Sequence, residues 1–330
     1  MKVSIIIPTY KVEKYIVRCL QSVCDQTWHD IECVLIDDCG GDRSIEIAQE
    51  FIDNYKGPVE FKICRHEKNM GQAAGRNTGI RNSKGECIYF LDSDDTIVPD
   101  CIETLAKLLE KYPDADFAQG NLVSGEGKPC QYSFTDYVPE YCGDKAALQD
   151  LIMLKVVTSA CNRLIKRKFI TDNNLFFPMG MLHEDAYWCY FVGGCAKAAA
   201  FTTKGTYYYY TNEGSTMTSV SDAMRRRRLY SRMRAANDYL ADIKAKGGTP
   251  SKREYVALNF LSCLDELRYL KSPMDWLRFW KKIIAIAFAN LSKTTKKRAA
   301  LFAVMTPPCC FFAGKENMRW RIQNYIIRHI

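Results

Sequence analysis

Short apolar runs alternate with segments of helical periodicity through the first third of the chain. The runs at residues 3–7, 33–36, 59–64 and 87–91 have the length and composition of buried strands. Apolar residues at intervals of three and four follow these runs, as in helices that pack one face on a sheet. This alternation predicts an α/β fold, in which a mostly parallel sheet carries helices on both faces.

The pattern changes after about residue 117, where the strand-like runs become shorter and more widely spaced. The elements predicted here are a helix near residues 145–154 and strands at 161–165, 199–203 and 207–210. From Asp222 onward the chain reads as helical and basic. We therefore predict two domains, an α/β domain at residues 1–220 and a helical C-terminal region at residues 221–330.

The composition is that of a folded globular protein, with 47% hydrophobic and 25% charged residues over 330 positions. No apolar run reaches the ~18–20 residues that a membrane-spanning helix needs, and Pro8 ends the first run too early for a secretory leader. The fifteen cysteines contain no Cys-x-x-Cys pair. Their spacing favours reduced thiols in a cytoplasmic protein over a disulfide framework or a structural zinc site.

Charge is distributed unevenly along the chain. Residues 220–330 carry 23 Lys and Arg against 8 Asp and Glu, whereas residues 1–219 carry 23 against 30. A strongly basic region of this kind is typical of contact with a polyanion, either nucleic acid or an anionic membrane surface.

Three carboxylates, those of Asp92, Asp94 and Asp95, directly follow the apolar run at residues 87–91. Carboxylates this close repel one another, and burial without compensation raises their pKa values. A hard divalent cation such as Mg²⁺ or Mn²⁺ would relieve the repulsion and hold substrate phosphates. Helix capping before Pro99 is the alternative explanation, but it accounts for one aspartate rather than three.

Polar residues also stand at the ends of the other predicted parallel strands, and such strand ends converge on one cleft. In chain order the motifs are Pro8-Thr9-Tyr10, Asp37-Asp38, Asn69-x-Gly71-x-x-x-Gly75-Arg76-Asn77-x-Gly79 and Asp92-Ser93-Asp94-Asp95. Together, in this order and spacing, they resemble the motifs of family-2 glycosyltransferases, whose GT-A fold has a Rossmann-like sheet. The resemblance extends from residue 2 to about residue 220.

The resemblance implies a nucleotide pocket at the ends of the first two strands. Pro8, Thr9, Tyr10 and Glu13 would line its edge, and Asp38 would accept a hydrogen bond from the uracil imide. A carboxylate at a strand end can read a base edge in this way.

The resemblance also implies how the diphosphate and the ribose are held. Arg76 would lie near the base and the diphosphate, although a structural ion pair is an alternative role for it. Asp92 would approach the ribose, with Ser93 beside it in the binding site. Asp94 would ligate the divalent cation, Mn²⁺ or Mg²⁺, that bridges the diphosphate.

A second acidic pair, Glu184-Asp185, precedes the aromatic residues Tyr187 and Trp188. In the family that it resembles, such a pair supplies the catalytic base, and the matching residue is Asp185. An acceptor hydroxyl is a poor nucleophile until its proton has a base to receive it. The alternative is that both carboxylates only stabilise the start of a helix.

The chain departs from the family pattern in two places. The second strand is followed by Asp38-Cys39-Gly40, where relatives usually have hydroxyl residues in the loop, and Thr211-Asn212 stand where many relatives have Arg or His. The sequence therefore gives no support for donor contacts from the loop after the second strand, or for a cation in the loop that closes over the donor. The segment Gly214-Ser215-Thr216 does match a family loop that can close over the diphosphate, although an ordinary polar turn explains it nearly as well.

Aromatic and basic residues interleave in the C-terminal region. Trp276, Trp280, Ile283, Ile284 and Leu291 share one face of a predicted helix, and the residues Lys293, Lys296, Lys297, Arg298, Phe311 and Phe312 follow it. This pattern fits an amphipathic helix on anionic lipid. It fits equally a helix that packs its apolar face on the protein and solvates its lysines. A nucleic-acid partner has no recognised binding motif to support it.

The sequence as a whole predicts a metal-dependent, inverting glycosyltransferase. It would move a sugar from a nucleotide donor, of the UDP type, to a saccharide or lipid-linked acceptor in cell-surface polysaccharide assembly. One alternative is a nucleotidyltransferase that makes nucleotide sugars, but the Gly-rich, basic loop expected after its first strand is replaced here by Pro8-Thr9-Tyr10-Lys11. The other alternative is a non-catalytic, sugar-binding relative, which an activity assay would distinguish.

Overall fold

A computed structural model describes residues 1–130, 132–134, 138–212 and 221–291 of the chain, with side chains up to residue 286. Its strands are β1 (Val3–Thr9), β2 (Ile31–Asp37), β3 (Glu60–Arg65), β4 (Cys87–Phe90), β5 (Thr96–Ile97), β6 (Phe117–Ser124), β7 (Tyr141–Cys142), β8 (Arg163–Lys166) and β9 (Ala199–Tyr209). Its helices are α1 (Ile16–Cys24), α2 (Ser44–Asn54), α3 (Gln72–Asn82), α4 (Cys101–Lys111), α5 (Lys145–Asp150) with a π-helical turn (Leu151–Lys155), α6 (Arg167–Asp172), α7 (Glu184–Cys195), α8 (Asp222–Lys246), α9 (Pro250–Arg268) and α10 (Pro273–Leu291).

The described strands form one mixed sheet of nine, in the order β3-β2-β1-β4-β8-β6-β9-β5, with β7 on β9. The first four strands are parallel, as their apolar runs predict, and Ile5 of β1 lies between Cys33 of β2 and Tyr89 of β4. All seven residues of β1 are buried, which requires cover on both faces of the sheet. The predicted α/β architecture is confirmed. Antiparallel pairs enter where β8 joins β4 and β6.

Strand β9 differs from its prediction as two separate strands. It runs without a break through residues 199–209, parallel to β6, and its register shifts opposite Gln119–Leu122 of β6. At this point Gly120 and Gly205 lie directly against neighbouring side chains, since a Cβ on Gly120 would lie 1.9 Å from the hydroxyl oxygen of Thr206. The polar residues that interrupt the apolar pattern therefore mark an irregularity within one strand.

Two glycines allow α3 to pack closely on β1. A Cβ added to Gly79 would lie 2.2 Å from Cγ2 of Ile6, and one added to Gly75 would lie 2.9 Å from Cβ of Pro8. The close approach inferred from the sequence is thus an approach of helix to strand. It places the start of α3 beside the end of β1.

The chain divides into two compact units. The first contains Met1–Gly180 and the chain from Glu184 to the end of β9, and the second contains Met181–His183 and the C-terminal helices. The predicted domain boundary at residue 220 falls in the undescribed stretch 213–220 and stays a prediction.

The second unit is a packed set of helices, in which α8 and α9 contact each other and α10 contacts both. Leu229, Tyr239, Phe260 and Leu264 are buried within it. Hydroxyl side chains cap its helices, with Ser221 accepting from Met224 N and Thr249 from Lys252 N. Within the described residues, no helix is both long enough and apolar enough to cross a bilayer.

Candidate active site

The acidic segment that follows β4 is held by residues from the end of β9. Asp95 is 2% exposed, and its carboxylate accepts bonds from the Tyr207 hydroxyl at 2.7 Å and from Tyr210 N at 2.9 Å. Burial, together with the charges of Asp92 and Asp94, raises the pKa of Asp95 to about 8. Asp95 therefore anchors the segment on β9.

Asp94 is less enclosed than Asp95. Its Oδ2 accepts a bond from Asn212 Nδ2 at 2.9 Å, and its carbonyl oxygen accepts one from Arg18 Nη2 at 2.7 Å. Burial and the neighbouring charge of Asp92 raise the pKa of Asp94. A nearby cation would favour the charged form of this partly buried carboxylate.

Arg76 joins the two acidic segments of the sequence. It is 2% exposed on α3, and its guanidinium donates to Asp92 Oδ1 at 3.0 Å and to Glu184 Oε1 at 2.7 Å. The ring of Phe177 lies 5.2 Å from the same guanidinium. The two carboxylates raise the pKa of Arg76 although burial alone lowers it. The ion-pair role is thus present in the structure, and the predicted contact with the donor stays a prediction.

Asp185, the predicted base, stands in the first turn of α7 beside Glu184. Its Oδ1 accepts a bond from Ala186 N at 2.8 Å. Burial raises the pKa of Asp185, the charge of Asp92 adds to this, and Arg76 opposes it. Burial and the charge of Asp185 likewise raise the pKa of Glu184 against the effect of Arg76. Arg76, which bonds both Asp92 and Glu184, therefore joins the start of α7 to the acidic segment that follows β4.

Asp38 is buried at the end of β2, where it organises the turn before α3. Its Oδ1 accepts from Met70 N and lies 2.7 Å from His66 Nδ1, and its Oδ2 accepts from Gly71 N at 2.8 Å. These contacts join the ends of β2 and β3 to the start of α3. The predicted hydrogen bond to a base stays a prediction, and it would use a lone pair that these contacts leave over.

The residues after β1 occupy different environments. Thr9 is buried and donates its hydroxyl to Ile7 O, while its own carbonyl accepts from Asp38 N at 3.0 Å. Tyr10 is 44% exposed. Glu13 is exposed and accepts a bond from Arg43 N at 3.2 Å. The structure therefore brings Pro8, Thr9, Asp38 and the start of α3 together, and it leaves the Tyr10 ring accessible.

Three non-glycine residues with left-handed backbones adjoin the predicted site. Lys11 has φ 54°, Cys39 has φ 60° and His183 has φ 58°. Such conformations cost about 1–3 kcal/mol each and persist where the surrounding structure enforces them. They follow Tyr10 and Asp38 and precede Glu184, three of the positions singled out from the sequence.

Several contributors to the site were not identified from the sequence. They are Arg18, His66, Gln72, Tyr207 and Asn212. Gln72 donates to Asp92 Oδ1 at 2.8 Å, and the Arg18 guanidinium lies 3.6 Å from the Tyr210 ring centroid. None is a defining residue of the sequence motifs, and Gln72 lies at an unspecified position of the motif at residues 69–79. Asn212, at a position where the sequence departs from the family pattern, donates a hydrogen bond to Asp94.

The carboxylates fit a divalent cation by their chemistry. Asp94 and Asp92 are only partly buried, whereas both oxygens of Asp95 are held by β9. Within the described part of the chain, no three His, Cys, Asp or Glu side chains are grouped as a metal site. Mg²⁺ is commonly bound through one or two carboxylates together with phosphates of the substrate. The Gly214-Ser215-Thr216 loop lies outside the described residues.

Comparison with known structures identifies the fold. Residues 1–349 of TarS from Staphylococcus aureus, solved in complex with UDP-GlcNAc, match with a TM-score of 0.71 at 19% identity, over 99% of this chain and 90% of that one. A mannosyltransferase from Pyrobaculum calidifontis, solved with GDP-Man and Mn²⁺, matches with a TM-score of 0.53 at 17% identity, over 99% and 85%. At these identities the likeness establishes the GT-A fold.

Comparison of sequences identifies the family. GlyA, a glycosyltransferase of Streptococcus pneumoniae, is 33% identical over 225 residues, which are 65% of this chain and 31% of GlyA. TarS, a poly(ribitol-phosphate) β-N-acetylglucosaminyltransferase of S. aureus, is 28% identical over 226 residues, 66% of this chain and 37% of TarS. The chain thus spans about a third of these two relatives. The sequence model of Glycosyl transferase family 2 matches residues 4–172. The chain belongs to glycosyl transferase family 2.

Proposed function

We propose that this protein is an inverting glycosyltransferase that moves a sugar from a nucleotide donor, of the UDP type, to a saccharide or lipid-linked acceptor. One observation carries the proposal. Arg76 holds the Asp92 segment at the end of β4 and the Glu184-Asp185 segment of α7 with a single guanidinium. Family membership supports the class of reaction, and the UDP-GlcNAc complex of TarS supports the class of donor.

In this proposal the donor lies along the ends of the parallel strands. Tyr10 and Asp38 bound the nucleotide end, with Pro8, Thr9 and Glu13 around them. Asp92 and Ser93, the first two residues of the acidic segment, lie beside the ribose of the donor. Arg76 lies near the base and the diphosphate in this proposal, and its guanidinium also holds the Asp92 carboxylate.

Asp185 acts as the general base. It accepts the proton of the acceptor hydroxyl while the hydroxyl oxygen attacks the anomeric carbon and the nucleoside diphosphate leaves. Burial raises the pKa of Asp185, which makes the ionised carboxylate a stronger base. Arg76 opposes this rise and so favours the ionised carboxylate. The inverting outcome follows from one displacement.

A divalent cation, Mn²⁺ or Mg²⁺, belongs to the proposal, with Asp94 as its protein ligand. When bound, it would neutralise negative charge on the departing diphosphate. Asn212 and Arg18 fix the side chain and the carbonyl of Asp94, so that the carboxylate is already oriented. The Mn²⁺ in the mannosyltransferase structure supports this part of the proposal.

The site of action in this proposal is the cytoplasm, at the inner face of the membrane. The spacing of the cysteines is typical of reduced thiols. The name of TarS describes poly(ribitol-phosphate) as the acceptor of that protein. A saccharide or a lipid-linked saccharide is the corresponding acceptor class for this chain.

The proposal is tested by the thermal unfolding of the full chain with a panel of nucleotide sugars, with and without Mn²⁺. A ligand that binds only the native state raises the melting temperature, and a ligand concentration about 100 times the Kd stabilises the native state by about 2.7 kcal/mol. We expect a UDP-sugar to stabilise the chain in a Mn²⁺-dependent manner. Donor hydrolysis or transfer is then measured with the same sugar.

Asp94→Ala should abolish both the Mn²⁺-dependent stabilisation and turnover. The control is Asp53→Ala, which removes a carboxylate from the exposed face of α2. Absence of stabilisation by every nucleotide sugar, with or without Mn²⁺, would overturn the proposal. Unchanged turnover in Asp94→Ala would remove Asp94 as the metal ligand, and stabilisation without any turnover would support the non-catalytic alternative.

A further inference from the structure

Helix α10 has an inner and an outer face within the second unit. Phe279, Ile283 and Ile284 are buried, and the helix packs on α8 and α9. The inner face therefore contains part of the apolar stripe that the sequence predicts, and it is covered by protein. Trp276 and Trp280 stack on each other at 5.9 Å between ring centroids. The side chain of Leu291 and the basic residues beyond it lie outside the described part.

The outer face combines apolar and basic side chains. Met274 is 76% exposed and Leu277 is 39% exposed. Arg278 and Lys281 are also exposed, and neither pairs with a carboxylate of the described residues. The four residues recur at intervals of three and four, so they share one side of the helix. We call these four residues the α10 surface.

The neighbouring helix extends this surface. Tyr230 of α8 is 42% exposed, and its ring packs on Phe279 at 4.8 Å between centroids. The ammonium of Lys282 lies 5.0 Å from the same ring. An aromatic ring and a further cation therefore stand at the seam of α8 and α10. Tyrosine rings are favoured at sites where one end of the ring contacts an apolar environment and the other end contacts water.

Positive charge predominates around the α10 surface. Residues 221–286 carry 15 Lys and Arg against 7 Asp and Glu. Asp275, the one acidic residue in the α10 sequence, pairs with Arg226 at 2.8 Å. The partner of the α10 surface must therefore present negative charge together with an apolar layer into which Met274 and Leu277 can insert.

We propose that the α10 surface binds the interface of an anionic lipid bilayer, with α10 lying in the plane of the membrane. Exposed apolar side chains between Lys and Arg are the arrangement that interfacial helices use. Nucleic acid offers negative phosphates without an apolar layer for Met274 and Leu277. A second copy of the chain would present the same positive charge and would be repelled. The proposal concerns the second unit alone and does not depend on the proposed catalytic function.

Sedimentation of the full chain with lipid vesicles tests this proposal. We expect binding to vesicles that contain about one third phosphatidylglycerol, weak binding to pure phosphatidylcholine, and a loss of binding as salt is raised. Each basic residue near the surface contributes about 1 kcal/mol, or roughly a fivefold change in partitioning. Arg278→Glu/Lys281→Glu should therefore lower partitioning by about 25-fold or more.

Matched variants separate a specific surface from general charge. Lys145→Glu/Lys197→Glu makes the same change in charge at exposed positions of the first unit, and we expect a much smaller effect. Leu277→Asp should lower partitioning by about tenfold, while Val17→Asp, at a residue 45% exposed on α1, should leave it nearly unchanged. Circular dichroism melting of each variant checks that the fold is kept.

Several outcomes would overturn the proposal. The first two are equal binding to both kinds of vesicle and equal effects of the α10 variants and the control variants. A third is that Leu277→Asp disrupts a dimer of the chain and leaves vesicle binding unchanged. The fourth is that Arg278 and Lys281 bind RNA more tightly than they bind vesicles. Nucleotide-sugar stabilisation of the same variants is measured in parallel. If variants that no longer bind vesicles are still stabilised by a nucleotide sugar, the donor site is intact and only membrane binding has been lost.

Discussion

Arg76 Nη1 lies 2.7 Å from Glu184 Oε1, across 108 positions of the sequence, and both side chains are buried. The same guanidinium reaches Asp92 at 3.0 Å. The predicted base Asp185 is therefore tied, through its neighbour Glu184 and through Arg76, to the acidic segment at the end of β4. An ion pair in this position acts on the geometry of the site as well as on its charge.

Replacing Arg76 by Met should lower the free energy of unfolding by about 3–5 kcal/mol, because the buried carboxylate of Glu184 and the partly buried one of Asp92 lose their cation. Urea unfolding at pH 7 measures the loss. Burial already raises the pKa of Glu184, and the rise becomes larger without Arg76. Where a carboxyl group has a higher pKa in the native state than in the unfolded state, the stability of the fold decreases as pH rises between these two values. The stability lost in Arg76→Met should therefore be smaller near pH 4.

The double variant Arg76→Met/Glu184→Gln provides the control for this interpretation. Removing the second charge should recover part of the stability, and a double-mutant cycle gives the interaction energy of the pair. Additive losses in the cycle would contradict a direct ion pair between the two side chains.

Asp185→Asn should lower kcat by about 10²–10⁴ and leave nucleotide binding nearly intact, because the change removes a proton acceptor rather than a donor contact. Steady-state transfer assays and thermal shifts separate the two quantities. Burial raises the pKa of Asp185, so the acidic limb of the wild-type rate profile should lie above the ordinary pKa of aspartate. The rate should rise with pH through that limb.

Asp172→Asn, at the exposed end of α6, is the matched control for Asp185→Asn and should keep full activity. A wild-type rate that does not depend on pH between 4 and 7, together with an active Asp185→Asn variant, would exclude Asp185 as the base.

Glu32 is a structural carboxylate whose loss should be measurable by acid unfolding. It is 5% exposed on β2, and its Oε1 accepts bonds from Ser4 Oγ at 2.5 Å, Gly85 N at 2.9 Å and Lys84 N. Burial alone would raise the pKa of Glu32, but these bonds together lower it. Glu32→Gln should cost about 1–2 kcal/mol at neutral pH.

The pH dependence of this cost has a definite sign. A carboxylate with a lowered native pKa stabilises the fold above its unfolded pKa, and this contribution disappears as pH falls through the native pKa. The difference between wild type and Glu32→Gln should therefore shrink below about pH 4.3, the ordinary pKa of glutamate. Glu60→Gln, which breaks an ion pair at the protein surface, should change stability by less than about 1 kcal/mol at any pH.

Gly79→Ala should destabilise the fold by about 1–3 kcal/mol, because the new methyl group would enter the space of the Ile6 side chain. Gly75→Ala should cost less, since its Cβ would lie 2.9 Å from Pro8 rather than 2.2 Å from Ile6. Chemical denaturation ranks the two variants. Equal or reversed losses would mean that α3 can shift away from β1.

Much of the fold was predictable because its signals are local. A buried parallel strand needs a continuous apolar run, and β1, β2 and β4 have one, so their existence and order could be inferred. The start of α7 could be placed at Glu184 for a similar reason, since carboxylates favour the first turn of a helix. The register shift in β9 could not be inferred, because it arises from contacts with Gly120 on another strand.

The sequence by itself determined that acidic side chains follow β2 and β4 and stand at the start of α7, because strand ends and helix starts depend on residues that are neighbours in the sequence. Only the tertiary structure decided which of these side chains meet. Arg76 could have been a donor contact or an ion-pair partner, and folding placed it between Asp92 and Glu184, 16 and 108 residues away. Hydrogen bonds between distant segments depend on how helices and strands pack, and no local pattern of residues encodes which segments come into contact.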